Sequence, residues 1–112
     1  MADCLFCRIV AKEIPATIVA ETDDALAFRD INPAAPVHVL VIPKTHHDSL
    51  AHAEDEQLLG HLMAFAAKVA IQEGIRDDGY RTVINTGRNG GQTVDHLHIH
   101  VLGGRRMTWP PG

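Results

Sequence analysis

Apolar residues recur along the chain with two different periods, and the changes of period mark out the elements. From Cys4 to Lys12, Leu5 pairs with Ile9 and Phe6 with Val10 at helical spacing, and Pro15 stops the pattern. Thr17 to Glu21 and Ala25 to Asp30 predict two short strands turned at Thr22-Asp23-Asp24. Asn32-Pro33-Ala34-Ala35-Pro36 reads as a turn segment. Val37 to Ile42, β-branched and apolar throughout its core positions, predicts a central strand ended by Pro43. Between Glu54 and Glu73, Leu58, Leu62, Phe65 and Val69 fall on one helical face with Leu59, Ala66 and Ala70 beside them. Glu54, Asp55 and Glu56 suit the positive end of that helix, and Gly74 suits the position just past its other end. Arg81 to Thr86 predicts a further strand, Gly87 to Gln92 a glycine-rich loop, and Thr93 to Leu102 a last strand. There is no internal repeat, low-complexity segment or linker, so residues 1–112 form one domain. Strands joined by tight turns, with one long and one short helix, imply an antiparallel α+β architecture.

The last strand changes the picture from fold to chemistry. His96-Leu97-His98-Ile99-His100-Val101-Leu102 alternates strictly, which puts three imidazoles on one face of a strand. They would follow one another at roughly 6.6 Å. Leu97, Ile99 and Val101 on the opposite face supply the apolar surface that holds the strand to a core. Groups that titrate near neutrality on a rigid element suit nucleophilic, acid–base or metal chemistry. The plainer alternative is a half-buried strand whose polar face is histidine. Just before it, Asn85-Thr86-Gly87-Arg88-Asn89-Gly90-Gly91-Gln92-Thr93 has three glycines able to turn backbone N–H groups toward one point as an anion nest. A flexible hairpin loop is the competing reading of that segment taken alone.

Composition narrows the classes. At 112 residues a single domain buries roughly 65% of its unfolded surface, enough for a core. A formal charge of −4 provides no basic stripe for a nucleic-acid polymer, whereas a single nucleotide needs only a local anion site. The N-terminus lacks the basic and apolar regions of a signal peptide, and Val37 to Ile42 and Leu62 to Ile71 are too short to span a bilayer. The expected location is cytoplasmic, with no membrane partner. There, Cys4 and Cys7 are expected as thiols or metal ligands and not as a structural disulfide. Cys4-Leu5-Phe6-Cys7 by itself is a zinc half-site, a redox pair or neither, and a redox pair would call for a preceding strand that this chain lacks. His52 and His61 are expected at the surface of the helical region.

Gly91-Gln92-Thr93-Val94-Asp95-His96-Leu97-His98-Ile99-His100-Val101-Leu102 resembles the signature of the histidine triad (HIT) family. Gly103-Gly104-Arg105-Arg106-Met107-Thr108-Trp109-Pro110-Pro111-Gly112 is similar to the ending of its Hint branch, the nucleotide-binding phosphoramidases. The similarity continues through Ala27 to Pro33 and Pro36 to Lys44, covering nearly the whole chain. The resemblance implies a HIT-like fold with about five antiparallel strands, continued across a homodimer. It implies His98 as the nucleophile toward the α-phosphorus of an AMP-type substrate, with the main-chain carbonyl of His96 holding its other ring nitrogen. His100 and Thr93 would touch the phosphate oxygens, Gln92 would sit near the bridging atom, and Asn85 with the Gly91 backbone would complete the phosphate site. His38 matches a further active-site histidine on the neighbouring strand. Phe28 and Ile31, with Leu5, Phe6, Ile9 and Leu40, would form the apolar slot for a purine, and Asp30 would accept from the ribose hydroxyls. Trp109 would reach the leaving-group side of the other subunit.

The same resemblance implies, for bacterial members with two N-terminal cysteines, a structural zinc held by Cys4, Cys7, His46 and His96, with His47 as a substitute for His46. Asp95 stands where many relatives have an aromatic residue, and Thr93 where serine is common. The leading function is hydrolysis of the P–N bond in purine nucleoside 5′-phosphoramidates, and hydrolysis of related aminoacyl-adenylates. Two alternatives use the same residues: a zinc-dependent hydrolase with the triad as metal ligands, and a nucleotide-binding regulatory module whose hydrolysis is incidental. The long helix carries apolar residues on more than one face, Met63 among them, and Arg81 to Thr86 is an edge-strand candidate, both of which favour a homodimer.

Overall fold

Strands β1 (Ile18–Glu21), β2 (Ala25–Arg29), β3 (Val37–Pro43), β4 (Tyr80–Val83) and β5 (Ile99–Gly103) form one antiparallel sheet in the order β1-β2-β3-β5-β4 in the computed structural model, which describes residues 3–112. Helix α1 (Leu5–Val10) and helix α2 (Glu56–Gln72) complete it, with a short 3₁₀ turn at Leu50–His52. The α+β class with one short and one long helix is as the sequence predicts.

β3 is apolar at nearly every position because both faces of the sheet are covered. Val39 and Val41, with Ala25, Ala27, Ile99 and Val101, pack into one core cluster with Leu62, Phe65, Ala66 and Val69 of α2. The intervening Leu40 and Ile42, with Leu26 and Phe28, pack into a second cluster with Phe6 and Ile9 of α1. Residues of one parity therefore face α2 and those of the other face α1. On β5 that parity assigns His100 to the α1 side, and in register His100 lies opposite Leu40.

α2 starts at the cap Asp55, whose carboxylate accepts the N–H groups of Gln57 and Leu58, and ends before Gly74 at φ +75°. This is two residues inside the predicted Glu54 start. α1 is shorter than Cys4 to Lys12: Cys4 caps it, and Lys12, with φ of +63°, turns the chain out well before Pro15. β1 and β2 each lose one predicted end residue, and Pro43 closes β3 by pairing with Ala25.

Two strand predictions need larger corrections. The predicted strand Thr93 to Leu102 begins only at Ile99, so the three histidines do not form a row on one strand. Residues 94–96 form a bend in which His96 N–H donates to Val94 O, and Leu97 N–H donates to the carbonyl of His47. The alternation of sequence survives because Leu97, Ile99 and Val101 still enter the α2 core, but ladder pairing does not extend there. The predicted strand Arg81 to Thr86 is Tyr80–Val83, since Val83 already pairs with His100 and β5 offers only one residue beyond it. β4 pairs only with β5 and is an edge strand. His52 is exposed as expected, whereas His61 is half-buried, stacked on Phe65 and bonded to Thr22. Among the described residues, no helix is long and apolar enough to cross a membrane.

Candidate functional site

On the α1 side of the sheet a cleft of about 410 Å³ opens between the helix and β2–β3. Leu5, Phe6 and Ile9 form one wall, Phe28 and Leu40 the other, and His98 and His100 stand at its polar end beside Thr93 and Val94. Asp30, Ile31 and Asn32 form the rim after β2. The Asp30 carboxylate is braced, with Oδ1 accepting Asn32 N–H at 2.8 Å and Oδ2 3.5 Å from His38 Nε2.

The hydrogen bonds of the histidines fix which nitrogen carries each proton. His98 Nδ1 lies 2.7 Å from the carbonyl oxygen of His96, which can only accept, so the proton sits on Nδ1 and Nε2 keeps a free lone pair. His38 Nδ1 accepts Ala34 N–H at 3.0 Å, so its proton sits on Nε2, which donates to His100 Nδ1 at 2.9 Å. His100 is thereby left with its proton on Nε2. The rings of His98 and His100 meet with centroids 4.9 Å apart. Burial pulls His100 down to about 4, with His98 and His38 adding to that effect and Asp30 opposing it. Burial lowers His38 as well, again against the pull of Asp30. Both are neutral near pH 7, so the proton chain is set by geometry.

His96, completely buried, belongs to a second cluster. Its Nε2–H donates to Pro43 O at 3.0 Å, and its Nδ1 faces Cys4 Sγ at 3.2 Å and Cys7 Sγ at 3.5 Å. His46 repeats the arrangement: Nε2–H donates to Asp48 at 2.7 Å, and Nδ1 faces Cys7 Sγ at 3.3 Å. Both thiols are free, and one ligand atom from each residue lies within 4.8 Å of the others. A tetrahedral zinc with ordinary Zn–S and Zn–N bonds sets its sulfur and nitrogen ligands about 3.5 Å apart. Fixing the distal Nε2–H by a carbonyl or carboxylate is also how metal-bound imidazoles are held. Two sulfurs and two suitably protonated imidazoles thus fit a closed zinc site. Burial and the neighbouring Cys4 push the Cys7 thiol above its ordinary range, so any metal would have to displace protons on binding. Burial holds His96 down to about 4, leaving Nδ1 unprotonated at neutral pH.

Asp30, His38 and His100 also converge within 4.8 Å, but they do not fit a metal. With His38 Nδ1 already accepting from a backbone amide, offering Nε2 to a cation would require an imidazolate. His96, turned into the cysteine cluster, cannot join His98 and His100 on one ion. These two observations count against the triad as a set of catalytic zinc ligands.

A model of the HIT domain matches residues 11–107. The chain belongs to the HIT family. It is 54% identical to the 14 kDa zinc-binding protein of Zea mays, over 96% of this chain and 87% of the relative. The crystal structure of a HIT family hydrolase from Legionella pneumophila superposes with a TM-score of 0.95 at 51% identity, covering 98% of this chain and all of that one. A histidine triad nucleotide-binding protein from Candida albicans gives a TM-score of 0.84 at 32% identity, covering 96% of this chain and 83% of that one.

Within this HIT domain the fold gathers Phe6, Phe28, Asp30, Ile31, Leu40, Thr93, His98 and His100 around one cleft, with His38 behind His100. It gathers Cys4, Cys7, His46 and His96 around another centre, and His47 is not among them: its Nε2 bonds Thr45. Asp95 is exposed and does not orient His96, a task done by Pro43. Asn85, Gly91 and Gln92 do not line the cleft. The Gln92 side chain is a staple, donating to Asp48 O and Val94 O and accepting Gly87 N–H. The N–H groups of Gly91 and Gln92 are also taken up inside the loop, so the anion nest expected from the glycines is not made by them. Gly90 has a different role: a Cβ there would collide with the Thr86 backbone. Ile31 and Trp109 are 90% and 80% exposed, and the tail before Trp109 is fastened by Arg81 to Thr108 O. Sequence reasoning missed Ile14, Pro15 and Ala16 in the cleft wall, although two apolar residues flanking a proline in a loop were a visible signal.

Proposed function

We infer that this HIT domain is a nucleotide-binding hydrolase that cleaves the P–N bond of purine nucleoside 5′-phosphoramidates and the P–O anhydride bond of related aminoacyl-adenylates. One observation carries the reading: His98 has Nδ1–H tied to the His96 carbonyl and a free Nε2 lone pair at the polar end of an apolar cleft. Attack by Nε2 on the α-phosphorus forms an N–P bond as the substrate's P–N bond breaks, and the amine leaves with a proton taken from solvent, which the water of the second step gives back. Positive charge then accumulates on the imidazole, where the His96 carbonyl stabilises it through Nδ1–H. Water next attacks the phosphorus, the histidine–phosphorus bond breaks, and AMP and the neutral ring are restored. Net, one water adds across the P–N bond. His100 Nε2–H and the Thr93 hydroxyl are the donors suited to the phosphoryl oxygens in the pentacoordinate state. Asp30 takes the ribose hydroxyls, and Phe6, Phe28, Ile31 and Leu40 flank the base. Gln92 braces the segment that carries Thr93 through its three loop bonds. Similarity to a HIT family hydrolase of Legionella and a histidine triad nucleotide-binding protein of Candida supports this reading.

Zinc is the metal we assign to Cys4, Cys7, His46 and His96, in keeping with the name of the maize relative. A closed four-ligand site supplies a cross-link and no open position for substrate. The chain is further read as a homodimer: among the described residues the outer edge of β4 is unpaired, Leu50 and Met63 are exposed at 38% and 46%, and with Leu59 and Ile84 they border an apolar recess. Trp109, exposed on its own subunit, is then available to the leaving-group side of the other.

Rapid quench of the chain with AMP-NH2, followed by mass spectrometry, tests the chemistry. AMP is expected on the peptide containing His98. Turnover of AMP-NH2, AMP-lysine and a dinucleoside polyphosphate side by side tests the substrate class, and a preference for the polyphosphate would overturn it.

A further inference from the structure

His96 stands in both halves of the site. Its ring Nδ1 faces Cys4 and Cys7, while its main-chain oxygen holds His98 Nδ1–H. Helix α1 is shared in the same way. Cys4 caps it and Cys7 lies on it, yet Leu5, Phe6 and Ile9 of the same helix form a wall of the cleft. Phe6 meets the rings of both His96 and His98 edge-on, at centroid distances of 5.8 and 5.2 Å. A six-residue helix is far too short to be stable alone, so its position depends on its fastenings. Those are the buried Phe6 and Ile9, together with the Cys–His cluster. The other two cluster members come from segments without regular structure, His46 after β3 and His96 in the bend before β5.

We propose that metal binding at Cys4, Cys7, His46 and His96 and nucleotide binding in the cleft are one linked equilibrium, transmitted by α1 and His96. This rests on reading the cluster as a zinc site and the cleft as a nucleotide slot. Four bonds to one ion fasten the start of α1, the loop after β3 and the His96 ring together. The cleft wall and the carbonyl that orients His98 are then already in place when the nucleotide arrives, so less ordering remains to be done. The linkage is reciprocal: whatever factor zinc adds to nucleotide affinity, nucleotide adds to zinc affinity.

The test is calorimetric titration of AMP into zinc-loaded and chelator-stripped protein. It is paired with competition for zinc against a chromophoric chelator, with and without saturating AMP. AMP should bind at least about fivefold tighter to the loaded form, and AMP should tighten zinc by the same factor. Stoichiometric zinc with equal AMP affinity in both forms overturns the linkage and leaves the zinc reading intact. A protein that holds no zinc overturns both, and one that binds AMP in neither form overturns the nucleotide reading. Cobalt(II) in place of zinc covers the case in which the stripped chain unfolds. AMP should then shift the d–d bands, and Phe6→Leu, which leaves all four ligands, should weaken that shift. Bands unmoved by saturating AMP overturn the proposal.

Discussion

Two groups of histidines lie side by side in this molecule and do different things with the same side chain. In the cysteine cluster, His46 and His96 have Nε2–H held by Asp48 and Pro43, and present Nδ1 to the sulfurs. In the cleft, His98 is protonated on Nδ1 and presents Nε2, and His38 and His100 pass a hydrogen bond from one ring to the next. Burial is common to both groups and does not separate them. What separates them is the partner on the far nitrogen, because it decides where the lone pair points. Residue type and spacing alone would have given all three triad histidines one role.

The largest expected effect breaks the cleft half alone. His98→Ala should lower turnover of AMP-NH2 by more than about 10⁴-fold and abolish the AMP–peptide adduct, while AMP still binds by calorimetry. Next, Cys7→Ser should break the cluster half. Metal analysis should fall from about one zinc per chain, and unfolding in free zinc at about 100–1,000 times its Kd should be easier by about 3–4 kcal/mol. The chemical step measured at saturating nucleotide should move far less than in His98→Ala. Equal damage to the chemical step from both substitutions would erase the distinction.

A smaller effect comes from pH. In the unfolded chain, His38 and His100 bind protons near the ordinary 6.5, whereas burial keeps both below that value in the folded chain, His100 down to about 4. The unfolded state therefore binds more protons in this window, and stability falls as pH drops from about 6.5 toward 4. His100→Gln should flatten the dependence of the unfolding free energy on pH between pH 6 and 5, by up to about 1.4 kcal/mol per pH unit. An unchanged slope would show that His100 titrates normally. The smallest effect is at the tail. Trp109→Ala should change the preference among leaving groups by roughly 1 kcal/mol while leaving AMP affinity unchanged. Light scattering that found a monomer at micromolar concentration would remove the dimer on which this rests.

Much of the architecture was legible because it follows from burial periodicity. α2, β3 at the centre of the sheet and the β1–β2 hairpin all come from local patterns that tertiary contacts reinforce. The segment 93–98 was misread because alternation reports which side chains turn inward, and an unpaired extended bend alternates as well as a strand does. Only the partners, His47 O for Leu97 N–H and Val94 O for His96 N–H, distinguish the two. The staple made by Gln92 was hidden for a related reason: its three bonds reach Gly87, Val94 and the distant Asp48, and only the folded chain brings Asp48 near. The choice of His46 over His47 likewise depends on Asp48, whose approach orients one ring and not the other.

The ring-to-ring bond between His38 and His100 has a sense of direction. It starts at the Ala34 amide, and each imidazole receives a proton contact on one nitrogen and offers one from the other. Reversing it would place the Ala34 N–H against a ring N–H, donor against donor, with burial preventing water from relieving the conflict. A ligand group that meets His100 Nε2 is therefore welcome only if it comes with lone pairs. An amide N–H or an ammonium arriving there finds its own kind, while a phosphoryl or carboxylate oxygen finds its complement. Discrimination of this sort needs no fixed positive charge, which is how a chain of net charge −4 can select an anion at one point of its surface.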